Sequence, residues 1–411
     1  SSFDRPNIRY TVVHKDNGNR QLADFIDGHR GEAGIVYCLS RNKVEKTAAM
    51  LVEAGIDALP YHAGLDAAVR ATNQRRFLLE DGVVVVATIA FGMGIDKPDV
   101  RFVAHMDLPK SIEGYYQETG RAGRDGDAAE AWMCHGLGDV VLLRQMIDQS
   151  ESGEERKRLE HRKLDALVGY CETTRCRRQV LLANFGEDYD AKGPGEPCGN
   201  CDNCLSPPET WDATVAAQKA LSCVYRTGQR FGAAHLIDVL RGSESERIRQ
   251  FGHDGLSTYG IGTELDAREW RGVFRQLVAA GLLEVDTEGY GGLRLTADSR
   301  DVLKGQREVQ LRREPPRAAR GRGRERSRDA RAAPVDMPAE AQPLFEALRE
   351  LRTRLAREQG VPPYVIFHDA TLRGIATLRP ATSDELAGVP GIGSGKLERY
   401  GDLVLETVRA A

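Results

Sequence analysis

No apolar run in this 411-residue sequence approaches the ~20 residues that a membrane helix needs. The first residues, Ser1-Ser2-Phe3-Asp4-Arg5-Pro6, lack the basic-then-apolar pattern of a secretion signal. A cytoplasmic protein with no membrane partner is therefore expected. The phosphate-binding loop Gly-x-x-x-x-Gly-Lys-Ser/Thr is absent, since Gly391-Ile392-Gly393-Ser394-Gly395-Lys396-Leu397 has neither its spacing nor its hydroxyl. Nor does a strand-like run end in Asp-Glu, the pair that would hold magnesium, because Asp384-Glu385 lies in a helical pattern. Both gaps argue against a self-contained nucleotide hydrolase. Lysine is scarce, 11 residues against 46 arginines, so the guanidinium is the default cation. A net charge of −4 neither favours nor excludes a nucleic-acid partner, while 41% hydrophobic residues exclude wholesale disorder.

What is present suggests three or four domains. Residues 1–150 alternate strand and helix signals: strand runs at 33–38, 58–62, 83–88, 100–106 and 129–134, with helical spacing at 43–53, 69–79 and 112–119. Val83-Val84-Val85-Val86 is the β-branched run of a strand buried on both faces of a parallel sheet. This alternation predicts a doubly wound α/β domain whose active loops lie at the strands' carboxyl ends. Residues 151–210 are helical, then rich in Gly, Pro and Cys. In 211–305, helix patterns precede two short alternating runs, 281–285 and 292–296, which suggests a winged helix-turn-helix. Residues 306–338 carry ten Arg against five acidic residues and read as a basic disordered linker. From 339 to 411, Leu344, Leu348, Leu351 and Leu355 return to helical spacing, predicting a small all-α domain.

The segment Gln117-Glu118-Thr119-Gly120-Arg121-Ala122-Gly123-Arg124-Asp125-Gly126 sets two arginines three apart among glycines, a pattern without amphipathic logic. Glycines let the backbone bend so that both guanidiniums reach one point, which suits a polyphosphate during γ-phosphoryl transfer. This segment resembles motif VI of superfamily 2 helicases, and its Asp125-Gly126 ending is similar to the RecQ family. Tyr37-Cys38-Leu39-Ser40-Arg41 resembles motif IV, Tyr61-His62-Ala63-Gly64-Leu65 the short motif after it, and the 87–98 stretch motif V. The resemblance covers nearly the whole chain, but of the two RecA-like lobes of RecQ enzymes only the second. It implies an arginine finger at Arg124, with Arg121 and Gln117 beside it, and Asp96 on the nucleotide ribose. ATP and Mg2+ are expected only in a complete two-lobe enzyme, with this chain alone binding DNA without turnover. Ser40, Arg41 and Thr88, at strand ends, could donate to DNA phosphates, and His62 joins this DNA-binding set.

Four of the eight cysteines are clustered: Cys176, then Cys198-Gly199-Asn200-Cys201-Asp202-Asn203-Cys204. Four thiolates match tetrahedral zinc in a structural role; an iron–sulfur cluster shares the Cys-x-x-Cys-x-x-Cys run. The RecQ zinc-binding subdomain resembles this region and agrees with zinc. Residues 229–232, 241–243 and 259–262 resemble the RecQ winged helix. There Arg268, Arg271 and Arg275 could meet phosphates or form a solvated face, and Tyr290, flanked by glycines, could stack on a terminal base pair. The last domain resembles the HRDC domain, in which Tyr364 and Lys396 are candidate DNA contacts. Together these imply the C-terminal part of a 3′→5′ DNA helicase of recombination and repair in the bacterial nucleoid. Its expected partners are single-strand/duplex DNA junctions and a single-stranded DNA-binding protein. The rival is a free-standing DNA-binding or annealing protein that has discarded its motor.

Overall fold

The computed structural model describes residues 2–89, 91, 96–189, 193, 196–286, 291–313 and 337–411. They form two compact units: 5–107, 116–134 and 337–411 make one, and 2–4, 108–115 and 135–313 the other.

The first unit is built on a six-stranded sheet. Its strands are β1 (Ile8–His14), β2 (Ala33–Tyr37), β3 (Ala58–Tyr61), β4 (Val84–Ala87), β5 (Val100–His105) and β6 (Ala129–His135), in the order β1-β6-β5-β2-β4-β3. The pairs β3–β4, β4–β2, β2–β5 and β5–β6 run parallel. Helices α1 (Gly18–Asp27), α2 (Arg41–Glu53), α3 (Ala67–Leu79) and α4 (Ile112–Thr119) alternate with them. The valines of β4 and nearly all of β2 and β5 are buried, as continuous apolar runs require between covered faces. From β2 the chain leads toward β3, and from β5 toward β6. These neighbours therefore part in opposite directions, and the crevice beyond their carboxyl ends is where such sheets bind ligands.

The C-terminal helices of this unit are α14 (Gln342–Gln359), α15 (Pro363–Ile366), α16 (Asp369–Leu378), α17 (Ser383–Ala387) and α18 (Ser394–Ala410). All four leucines of the expected stripe lie in their own apolar core, with Ile375, Val404 and Leu405.

The second unit begins with α5 (Leu137–Asp148), α6 (Glu154–Glu172), α7 (Arg177–Ala183) and α8 (Asp202–Leu205). Strand β7 (Thr210–Asp212) leads into α9 (Thr214–Arg226), α10 (Ala233–Leu240), α11 (Glu246–Gln250) and α12 (Ala267–Ala279). The antiparallel pair β8 (Leu283–Val285) and β9 (Leu293–Leu295) follows, in the register Leu283↔Leu295, and then α13 (Ser299–Leu303). This is the expected helices-then-hairpin order.

The linker expected from residue 306 needs correction at its start. Strand β10 (Gln310–Arg312) pairs antiparallel with β7, setting Leu311 against Trp211. Val309 and Leu311, two apolar residues in a charged run, are buried in the core of this unit. The Gln276 side chain clasps Arg312, accepting from its amide at 2.7 Å and donating to its carbonyl at 3.0 Å.

Candidate functional site

The arginine loop follows α4 and is held by its backbone. Arg5 donates to the carbonyls of Gly120 (2.9 Å), Ala122 (2.8 Å) and Gly123 (3.0 Å). Asn7 donates to those of Gly123 (2.8 Å) and Asp127 (2.7 Å). Gly123 sits at φ +58°, and a Cβ there would lie 2.4 Å from the Asn7 amide nitrogen and 2.7 Å from the Asp127 carbonyl, so this turn requires glycine. Arg101 grips the Asp125 carboxylate through Nη2, 2.6 Å from both oxygens. The loop's backbone is thus fixed independently of its own two arginines, Arg121 and Arg124. Arg124 is exposed and pairs with Asp96, Nη1 to Oδ1 2.6 Å; Asp96 is 81% exposed.

Arg121 is more recessed, beside Tyr37 at the end of β2. Its Nε is buried with no hydrogen-bond partner among the described residues. Tyr37 donates to the Phe91 carbonyl at 3.1 Å and stacks on His105, ring centroids 5.2 Å apart. His105 Nε2 lies 2.7 Å from Glu118 on α4. Burial raises the Tyr37 phenol, an effect the Arg121 charge opposes, so Tyr37 stays a neutral donor. Tyr37 thereby connects the three resembling segments around 37–41, 87–98 and 117–126. Gln117 is exposed on α4.

Of the expected DNA contacts, Ser40 is the exposed N-cap of α2, accepting from the Lys43 amide at 3.2 Å, and Arg41 is exposed at the first helical position. Thr88 is half-buried just after β4. His62 needs correction: it is 3% exposed, with Nε2 3.1 Å from Glu45 and Nδ1 accepting from the Gly64 amide at 3.2 Å. Both ring nitrogens serve the fold. A Cβ on Gly64 would lie 3.2 Å from both the Arg41 guanidinium and that ring, so His62 shapes the turn beside Arg41. Sequence reasoning missed Asp107, which accepts from the Leu39 amide (2.9 Å) and from Lys43 Nζ (2.5 Å). Burial disfavours its carboxylate, but those hydrogen bonds outweigh burial and hold the carboxyl below its usual range. Its signal was only its place just beyond β5.

Cys176, Cys198, Cys201 and Cys204 converge, all four sulfurs lying within 4.8 Å of one another. The Cys198–Cys204 separation of 3.8 Å matches, and the Cys201–Cys204 separation of 3.3 Å falls short of, the ~3.8 Å edge of a tetrahedron with 2.3 Å Zn–S bonds. Hydrogen bonds from Cys198 and Cys201 lower the Cys176 thiol, while those two thiols are themselves raised, so the sulfurs are close enough to share a proton. Cys176 caps α7 and Cys201 caps α8. Arg177, fully buried, ties the helices by donating to Asp202 (2.5 Å) and to the Tyr170 carbonyl (2.8 Å). Asn203 donates to the carbonyls of Thr173 and Arg175, both at 2.8 Å. Arg178 pairs with Asp4 at 2.5 Å, and Phe3 stacks on Phe185, so residues 3 and 4 are fastened to this subdomain.

On α12, capped by Asp266, Arg271 is exposed and Arg268 half-buried. Arg275 needs correction as a phosphate contact. It is buried and pairs with Glu172 at the end of α6, each side chain 6% exposed. Tyr290 lies outside the described residues. In the C-terminal helices, Lys396 stands over the Phe367 ring, 5.4 Å from its centroid, and loss of solvent lowers its ammonium pKa. Tyr364 is half-buried with Lys97 Nζ 5.8 Å from its ring centroid.

Four families match in succession: helicase conserved C-terminal domain over 17–126, RecQ zinc-binding over 137–205, RQC domain over 207–320 and HRDC domain over 341–408. The chain is 43% identical over 401 residues to the ATP-dependent DNA helicase RecQ of Haemophilus influenzae, covering 97% of this chain and 63% of that protein. It is 41% identical over 411 residues to that of Pasteurella multocida (99% and 63%). Against that of Bacillus subtilis it is 37% identical over 410 residues (100% and 65%). The chain thus spans a little under two thirds of these relatives' length. With the order of its four matches and the parallel-sheet lobe that carries the arginine loop, it belongs to the RecQ family of helicases, and what it holds is that family's C-terminal region.

Proposed function

We propose that this chain supplies the second half of a composite ATP site and the DNA grip of a 3′→5′ helicase acting on recombination and repair intermediates. The observation that carries the reading is Arg124, exposed on a loop whose backbone is pinned by Arg5, Asn7 and Arg101, with the solvent-exposed Asp96 as its one ion partner among the described residues. A guanidinium so placed reaches a phosphate held on another surface at small reorganisation cost. Arg121 and Gln117 stand beside it, and Asp96 would release Arg124 and accept from the ribose. ATP and Mg2+ belong to the two-lobe enzyme, where the Mg2+ offsets charge on the transferring phosphoryl group.

DNA would cross the carboxyl edge of the sheet over Ser40, Arg41 and Thr88, and the winged helix would grip duplex through Arg268 and Arg271. The four thiolates would hold one structural zinc, filling all four positions and leaving none for water. Single-strand/duplex junctions are the DNA partner in this reading, with a single-stranded DNA-binding protein as a further partner in the bacterial nucleoid. The test is ATPase activity and forked-duplex binding by the 411-residue chain. Binding without turnover is expected. Hydrolysis by the chain alone would overturn the half-site reading, and wild-type turnover by a two-lobe enzyme carrying Arg124→Ala would eliminate the arginine-finger assignment.

A further inference from the structure

Four positions of the α/β part share one edge. Gly31, Asp81, Asp99 and Asp127 stand just before β2, β4, β5 and β6 and so mark the amino-terminal edge of the parallel sheet, away from the carboxyl ends used above. The C-terminal helices of the same unit meet this edge with cations. Arg349 donates to the Gly31 carbonyl at 3.0 Å. Arg352 and Thr353 reach Asp81 at 3.3 and 3.0 Å. Arg373 pairs with Asp127 at 2.7 Å. The Tyr364 ring faces Lys97, whose buried ammonium is 3.2 Å from Asp99. Acidic side chains and a carbonyl on one side thus meet three guanidiniums on the other.

We propose that this edge is an intramolecular docking surface for the helical domain of residues 337–411, closed by ion pairs and opened when single-stranded DNA takes the same cations. The helical domain has its own apolar core, distinct from that of the sheet. Arg352 is anchored within it, to Asp369 at 2.5 Å and the Phe367 carbonyl at 3.1 Å, and lends only its second nitrogen to Asp81. Apolar packing at the junction is incomplete, because a cleft of about 340 Å3 remains between Pro362 and the Ala71, Gln74, Arg75, Leu78 and Leu79 face of α3. A contact made of charge, with little apolar seal, is one that salt and a polyanion can release. Covalent tethering supplies an effective concentration on the order of 1 mM, so even a weak contact of this kind is substantially formed.

Docking occupies Arg349, Arg373 and the Tyr364 face, the groups that a nucleotide backbone and base would need. It also borders the arginine loop, since Asp127 lies three residues beyond Arg124 and Lys97 follows Asp96. The DNA half of the inference rests on the nucleic-acid reading of the helical domain given above; the docking surface itself does not.

The test is hydrogen exchange of the 411-residue chain, with small-angle scattering as a second readout. The variants come from both sides of the contact: Asp81→Lys, and Arg349→Glu with Arg373→Glu. Expected is exchange at least severalfold faster at 29–33, 79–83 and 349–354 in both variants, and in wild type at about 0.5 M salt, with a larger radius of gyration. Strands β2 and β5 should keep their protection, which separates undocking from unfolding. A single-stranded 15-mer should produce the same acceleration in wild type, and its binding is followed separately by anisotropy. Equal exchange in wild type, variants and high salt would overturn the docking surface. Salt-sensitive docking that bound oligonucleotide leaves unchanged would overturn the competition alone, and an oligonucleotide that fails to bind would overturn the nucleic-acid reading.

Discussion

Arg275 distinguishes a phosphate contact from a structural ion pair by magnitude. Its guanidinium and the Glu172 carboxylate are each 6% exposed, and Glu172 also lies 3.6 Å from His135 Nε2. Arg275→Met keeps much of the buried stem but removes the cation, leaving the carboxylate in a site that cannot solvate it. Breaking a buried pair from one side costs about 3–5 kcal/mol. For a folding unit of 150–250 residues each kcal/mol shifts the melting point by about 2–4 °C, so a fall of roughly 6–20 °C is expected in calorimetry. Arg275→Met with Glu172→Gln should recover most of the loss, because no uncompensated charge then remains. Affinity for a forked duplex at fixed salt should be unchanged where both proteins are folded. Arg271→Ala should do the reverse, with stability within about 0.5 kcal/mol and a salt slope of DNA binding smaller by about one. If Arg275→Met left the melting transition in place and reduced that slope, the buried-pair argument would be wrong.

In a two-lobe enzyme, Arg124→Ala should lower DNA-stimulated ATPase by about 10³–10⁵-fold while nucleotide binding survives, a split read by steady-state kinetics beside equilibrium binding. Metal analysis should return one zinc per chain, and chelation should loosen α7 and α8 in hydrogen exchange; an iron-containing preparation would refute the zinc assignment. His29 is buried, which lowers its pKa, but hydrogen bonds to Glu130 and Glu32 outweigh burial and raise it to about 9. Its folded value exceeds its unfolded one, so its contribution, on the order of 3 kcal/mol, is complete below about pH 6.5 and is lost as pH rises through about 9. His29→Gln should flatten that fall in denaturation curves. His235 and His253 are 2.8 Å apart and both lowered, chiefly by burial, His235 to about 4. The winged-helix part should therefore lose stability as pH drops from about 6.5 toward 4, and His235→Phe should remove much of that loss.

The features legible in the sequence are those whose chemistry is local. Short apolar runs gave β2 to β6 near their observed bounds, β1 (Ile8–His14) went unread, and three cysteines within seven residues had no use but a shared cation. The arginines of 121–124 announced themselves because glycine on either side deprives them of a helical role. Their braces could not be read in the same way. Arg5 and Asn7 act on the loop from more than a hundred residues away, and nothing near them in sequence records the carbonyls they hold. Strand β10 was hidden because Val309 and Leu311 are only two apolar residues in an arginine-rich stretch, and their partner strand lies about a hundred residues earlier.

The contrast between Arg271 and Arg275 shows why helical periodicity fails where it does. The stripe of Trp270, Val273, Phe274 and Leu277 predicts one covered face for α12 and assigns both arginines to the solvent side. In the structure every residue from Gly272 to Val278 is buried, because α12 is enclosed by its own core on one side and by α6 on another. A hydrophobic pattern reports the neighbour that is apolar. It is silent about a second neighbour that presents a carboxylate, because the residue suited to that contact is an arginine, the same type expected against a phosphate. Composition cannot separate the two partners; burial can, and it puts Arg275 on Glu172 and leaves Arg271, with Arg268 beside it, as the proposed phosphate contacts.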